Sequence, residues 1–73
     1  MDIRQIREAA GMSQQQVADR WGRMGRQAVY EVEKRAVSDE LLVSTLQGYL
    51  DAAGATADLI VQVNGQVIEI KVV

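Results

Sequence analysis

Residues 13–35 read SQQQVADRWGRMGRQAVYEVEKR, and the fold turns on this stretch. Ser13 suits a helix N-cap. Gln16, three residues later, completes a capping box in which side chain and backbone satisfy each other's free donors. Val17, Ala18 and Trp21 follow at i, i+1 and i+4, one face of a helix. Gly22 stands just past the last apolar residue, where a left-handed residue closes a helix. Arg23-Met24-Gly25 reads as a short polar turn. A second helix then starts near Arg26 and buries Val29 and Val32, three apart and so on one face.

Two short helices joined by a glycine-containing turn form the unit that lays its second helix in the major groove of DNA. That second helix leaves Arg26, Gln27, Tyr30, Glu31 and Lys34 exposed. Arg matches guanine O6 and N7 with two hydrogen bonds, and Gln matches adenine N6 and N7. Arg26 and Gln27 stand at the N-terminal end, the part that meets base edges. A short surface helix exposes polar residues in any case, so the capped unit around this pair carries the reading.

Working outward, Ile3, Ile6 and Ala10 are spaced three and four apart, which predicts a first amphipathic helix over 2–10. Asp2 is its expected cap and Gly11 its end, with Met12 plugging the core behind it. After residue 35, AVSDELLV (36–43) has no helical period and reads as an extended link anchored by Leu41 and Val43. Ser44 and Gln47 have capping-box spacing and open the next predicted helix; a start at Ser38 is the alternative. Leu46, Tyr49, Leu50 and Ala53 form its apolar stripe, Gly48 permits close packing, and Gly54 ends it.

From residue 57 the period changes to two. Two β-branched runs flank Asn64-Gly65, the signature of a type I′ hairpin turn. That turn pairs Val63 with Gln66, Val61 with Ile68, Leu59 with Ile70 and Ala57 with Val72 on an apolar face. On the other face Gln62 meets Val67, Ile60 meets Glu69, and Asp58 meets Lys71 as an opposite-charge pair. The expected fold class is therefore α+β. One domain, residues 1–73, holds a four-helix headpiece (1–55) and a two-stranded antiparallel β-hairpin (56–73).

Seventy-three residues with no cysteine and no histidine exclude disulfides, and with them thiol and imidazole catalysis. No catalytic residue, metal ligand or cofactor is expected: the carboxylates are scattered and no glycine-rich phosphate loop is present. No stretch approaches the roughly 18 consecutive apolar residues of a membrane span, and MDIRQIREAA lacks the apolar core of a signal peptide. A cytoplasmic protein is the expectation. The net charge is −2, yet it is unevenly spread. Residues 1–35 carry seven basic side chains against five acidic, and residues 36–73 one against five. A positive half fits a phosphate-facing surface.

These residues resemble the Xre/Cro class of helix-turn-helix proteins, the lambda-repressor-like fold. The resemblance rests on Met12-Ser13-Gln14, Ala18, Gly22 and Val29-Tyr30-Glu31-Val32-Glu33, with LVSTLQGYLDAAGA (42–55) similar to the helix that follows in small members. It implies Arg26, Gln27 and Glu31 at base-reading positions, with Ala28 near a thymine methyl and Tyr30 among them, and Gln14 toward a phosphate while it braces the reading helix. Gln15, Arg23 and Lys34 are further expected phosphate contacts, Arg23 by way of the turn. It further implies a structural ion pair between Arg7 and Glu33. One departure stands out: between Gly22 and Val29 the chain has one residue more than the usual spacing, and Gly25 replaces the usual Ser/Thr cap. The base-reading register is open by one position.

The expected function is sequence-specific binding of double-stranded DNA by a homodimeric regulator of repressor type. Leu59, Val61, Ile68 and Ile70 of the hairpin form the expected dimer interface. The alternative is a protein-binding module, such as an antitoxin whose partner is a toxin protein.

Overall fold

The computed structural model describes residues 1–22 and 25–73. The turn residues Arg23 and Met24 lie outside the described residues. The described chain runs α1 (Arg4–Ala9), α2 (Gln14–Trp21), α3 (Arg26–Val37), α4 (Val43–Ala52), β1 (Asp58–Val63) and β2 (Gln66–Lys71). The fold is α+β, four helices followed by an antiparallel strand pair.

Local chemistry sets the helix ends. Ser13 caps α2: its side chain accepts from the Gln16 N–H at 3.1 Å, and Gln16 Oε1 accepts from the Ser13 N–H at 2.7 Å. Asp2 serves α1 from one residue further out than a cap position, accepting from the Arg4 N–H at 3.1 Å, while Ile3 occupies the cap. Helices α1, α3 and α4 end on one motif. The residue two past the cap donates back to the last turn, Met12 to Arg7, Glu40 to Arg35 and Ala55 to Leu50. Each needs a left-handed residue just before that donor. Gly11 and Gly54 supply it in α1 and α4, and Asp39, at φ 57°, supplies it in α3.

That last detail corrects the expected link over 36–43. Helix α3 continues through Ala36, which is fully buried, and Val37. Leu41 packs partly against the core, whereas Val43 is exposed and opens α4. Helix α4 therefore starts ahead of Ser44, with Leu42 at its cap and no side-chain cap bond, so the Ser44–Gln47 box does not form. Gln47 instead donates to the Val72 carbonyl at 2.9 Å and ties α4 to the end of the hairpin. Ala10, expected on the buried face of α1, is exposed at its C-cap.

The core is built from Ile3 at the N-cap of α1 and from α2, α3 and α4: Val17, Ala18, Val29, Val32, Ala36, Tyr49 and Ala52, with Ile6 of α1 partly buried against them. Val29 is completely buried, and burying a side chain of that size contributes about 1.5–3 kcal/mol. Trp21 packs edge-on to Tyr49, with ring centroids 6.1 Å apart. Gly48 makes room for it; a Cβ there would lie 2.7 Å from the indole ring.

The strands pair in the register set by the turn, from Asp58–Lys71 to Val63–Gln66. Asn64 and Gly65 both have positive φ, as a type I′ turn requires. Beyond Asp58 the pairing differs from a simple ladder. The Val72 and Val73 N–H groups both donate to the Ala57 carbonyl, so two residues stand opposite one and form a bulge. Most of the hairpin's apolar surface is uncovered, and of the expected interface residues only Val61 is half-buried. Leu59, Ile68 and Ile70 on one face and Ile60 and Val67 on the other are all exposed, and the molecule measures 43 × 23 × 20 Å.

Candidate nucleic-acid interface

Helix α3 begins at a backbone-only cap. Gly25 is extended (φ −81°, ψ 170°) and makes no side-chain bond to the first turn. The N–H groups that open a helix have no partner inside it, and they carry the positive end of the helix dipole. A Ser or Thr cap would take one of these donors. The Gly25 carbonyl accepts from the Ala28 N–H at 3.0 Å, and with no side chain Gly25 leaves the N–H groups of Arg26 and Gln27 to an anion such as a phosphate.

On this first turn Arg26 and Gln27 are exposed, and one turn further Tyr30 is exposed on the same side. With Gln14 from the start of α2 they line a cleft of about 460 Å³. Gln27 Nε2 lies 3.3 Å from Glu31 Oε1, a long, exposed contact. The expected base-reading residues thus fall on two flanks of α3. Arg26, Gln27 and Tyr30 face the cleft, while Ala28 and Glu31 line a groove against the start of α4, with Arg35, Glu40 and Leu41.

Of the residues expected at phosphates, Gln14 sits at the cleft. Gln15 is exposed and donates to Asp19 at 2.9 Å. Lys34 is exposed beside Arg4 and Arg7 in a second groove of about 390 Å³. Arg23 lies outside the described residues.

Behind the cleft is a buried polar node. Glu33 Oε2 accepts from Arg7 Nε at 2.7 Å and from the Tyr49 hydroxyl at 2.7 Å. Glu33 Oε1 accepts from Gln14 Nε2 at 2.9 Å. Arg7 also donates from Nη1 to the Met12 carbonyl at 3.0 Å. The Tyr49 oxygen lies 3.3 Å from the Ile3 carbonyl as well, but its single proton is better claimed by the shorter bond to the carboxylate. The node takes one side chain from each helix: Arg7, Gln14, Glu33 and Tyr49.

Burial alone would raise the Glu33 carboxyl above its ordinary value. The hydrogen bonds from Arg7, Tyr49 and Gln14 outweigh it and hold the carboxyl below that value. Burial, then the bond to Glu33, pushes the Tyr49 hydroxyl well above the ordinary tyrosine range. The Arg7 guanidinium is raised by its bond to Glu33. Glu33 is thus an anion and Tyr49 a neutral donor at neutral pH.

Tyr49, expected only as a core residue of α4, is a member of this node. A signal exists: Tyr49 is the single stripe position of α4 whose side chain ends in a hydroxyl, and a buried hydroxyl needs a partner. Among the described residues no cluster of acidic side chains could hold a metal ion, and no helix is long and apolar enough to cross a membrane.

The helix-turn-helix family HTH_3 matches residues 3–59, from the start of α1 to the second residue of β1. No curated protein and no solved structure matches the chain.

Proposed function

The chain belongs to the HTH_3 family of DNA-binding helix-turn-helix regulators, and from that premise we propose that it is a sequence-specific repressor. It binds double-stranded DNA in the cytoplasm as a homodimer on a palindromic operator. One observation carries the reading: the open cleft in which Arg26, Gln27 and Tyr30 stand beside Gln14 at the uncapped start of α3.

In this reading Arg26 and Gln27 contact base edges with paired hydrogen bonds, Tyr30 packs beside them, and Ala28 and Glu31 sit at the margin of the groove. Gln14, Gln15, Arg23 and Lys34 contact phosphates, with the open N–H groups of α3 adding a further anion contact. Arg7 and Glu33 hold the helices in place and touch no base. The hairpin joins two copies through Leu59, Val61, Ile68 and Ile70. A two-fold axis there sets two reading helices about 34 Å apart, one turn of DNA.

The uncovered strand edges also support a second reading, in which the chain is the antitoxin of a toxin–antitoxin pair and the hairpin adds to the toxin's sheet. DNA binding and toxin binding are compatible in one protein.

The test of base reading compares Arg26→Ala and Gln27→Ala on a preferred duplex and on random duplex. Each substitution is expected to weaken the preferred site by about 1–3 kcal/mol and to leave random DNA nearly unchanged. Equal losses on both duplexes would move these residues to the phosphate backbone.

A further inference from the structure

Gln14 occupies an unusual position. It lines the cleft with Arg26, Gln27 and Tyr30, the groove with Arg4, Arg7 and Lys34, and a third hollow with Ser13, Gln15 and Arg26. Its side chain is nevertheless half-buried, and its amide nitrogen is committed inward to Glu33 Oε1. The amide oxygen and the second N–H are left for the surface. Which way the outer end of this amide points depends on how firmly Glu33 is held.

Glu33 is held from two sides through its other oxygen. Arg7 approaches Oε2 from α1 and Tyr49 approaches it from α4, both at 2.7 Å. With both lone pairs of Oε2 taken by donors on different helices, the carboxylate plane is fixed and Oε1 faces Gln14. Without the Tyr49 hydroxyl, Oε2 keeps one donor. The carboxylate is then able to turn so that Arg7 takes both oxygens, an arrangement guanidinium favours, and Gln14 loses its acceptor.

We propose that Tyr49 is a positioning residue for DNA binding: its hydroxyl, acting through Glu33, locks the Gln14 amide in the orientation that the DNA-facing cleft presents. Tyr49 itself is completely buried and cannot reach DNA. The proposal rests on the DNA-binding reading above, and it extends the interface into α4, the helix that carries the hairpin. A contact whose own rotamer is fixed by a supporting shell loses less entropy on binding than one left to wander.

The test is a double-mutant cycle on the 73-residue chain with Tyr49→Phe, Gln14→Ala and the double variant, each kept below its unfolding temperature. The probe is a duplex selected from a random library by the unmodified chain. Tyr49→Phe is expected to weaken binding on the order of two- to tenfold, and to have no further effect once Gln14 is alanine, because contacting residues are non-additive. A purely structural role for Tyr49 would lower the melting temperature without this dependence on Gln14. Equal losses in both backgrounds, or no loss in either, would overturn the proposal.

Side-chain amide NMR gives a second reading. One Gln14 amide proton should be shifted downfield and protected in the unmodified chain, and should lose both properties in Tyr49→Phe. Should Tyr49→Phe fail to fold, 3-fluorotyrosine in a Tyr30→Phe background alters only the acidity of the Tyr49 hydroxyl. Movement of the Gln14 amide signal supports the relay, and an unmoved signal refutes it. If the unmodified chain selects no duplex, the DNA-binding reading fails on its own, and the amide signals still decide whether Tyr49 controls Gln14.

Discussion

In the headpiece, Ile3, Val17, Val29, Val32 and Tyr49 come from the start of α1 through α4 and close on one another until none is more than 7% exposed. In the hairpin, Leu59, Val63, Ile68 and Ile70 line one face, and each stays 44–51% exposed. Both regions place aliphatic residues at the spacing that their secondary structure requires. Helices of one chain can cross and cover each other, so the headpiece supplies its own second layer. A two-stranded hairpin has no second layer, and alone in water it is marginal. The headpiece is a finished core, and the hairpin is half of one.

The same chemistry probed in the two regions should therefore give opposite results. The largest effect belongs to the node. Glu33→Ala strips the part-buried Arg7 cation of its carboxylate, leaving it the Met12 carbonyl, and leaves the Tyr49 hydroxyl only the longer contact to the Ile3 carbonyl; thermal or chemical unfolding should show a loss of about 3–5 kcal/mol. Acid should reproduce part of that loss. The folded state holds the Glu33 carboxyl below its ordinary value of 4.5, so its contribution is complete above about pH 4.5 and is lost as the pH falls through the folded value. At the other end, Tyr49 keeps its proton more tightly when folded, so stability should decline once the pH passes 10. A Glu33→Ala protein whose stability below pH 4.5 still tracks that of the unmodified chain would remove Glu33 from this account.

A smaller effect comes from Gly48→Ala. The added methyl lands 2.7 Å from the Trp21 ring, and the ring must shift within a packed core. The expected cost is about 1–3 kcal/mol, with a change in Trp21 fluorescence. An unchanged melting temperature would mean that the α2–α4 contact gives way more easily than the headpiece picture allows.

The smallest effect on folding is expected where the apolar surface is uncovered. Ile68→Asp should change headpiece stability by within about 0.5 kcal/mol, as for an exposed site. It should nevertheless shift sedimentation from dimer to monomer. Removing residues 57–73 should do the same and leave a helical protein with much weaker affinity for a palindromic site. A truncated chain that stays dimeric and binds normally would place the dimer contact in the headpiece.

Much of this contrast is legible in the residues themselves. Ser13 and Gln16 announce the start of α2, and Asn64-Gly65 fixes every strand pair from Asp58–Lys71 inward, because a two-residue turn leaves no slack in register. The end of α3 is less legible. Its left-handed terminator is Asp39 rather than glycine, so nothing in AVSDELLV signals that Ala36 and Val37 are still helical. The Ser44 box fails because the backbone turns helical at Val43, and Gln47 finds a better acceptor 25 positions away in Val72. In the candidate interface, one-dimensional spacing places Arg26 and Gln27 on the exposed start of α3. It does not reveal that Gln14 and Tyr49 meet at Glu33, since that contact depends on how three helices cross.

The proposed activity is the reading of DNA sequence by the cleft at the start of α3, from both halves of a symmetric dimer. Selection of duplexes from a random library by the unmodified 73-residue chain tests it most directly. The expected result is enrichment of a palindrome whose half-sites are centred about one helical turn apart, roughly 10 base pairs. Its binding should weaken steeply as salt rises. Recovery of duplexes with no shared sequence, or of a single asymmetric site bound by a monomer, would contradict it.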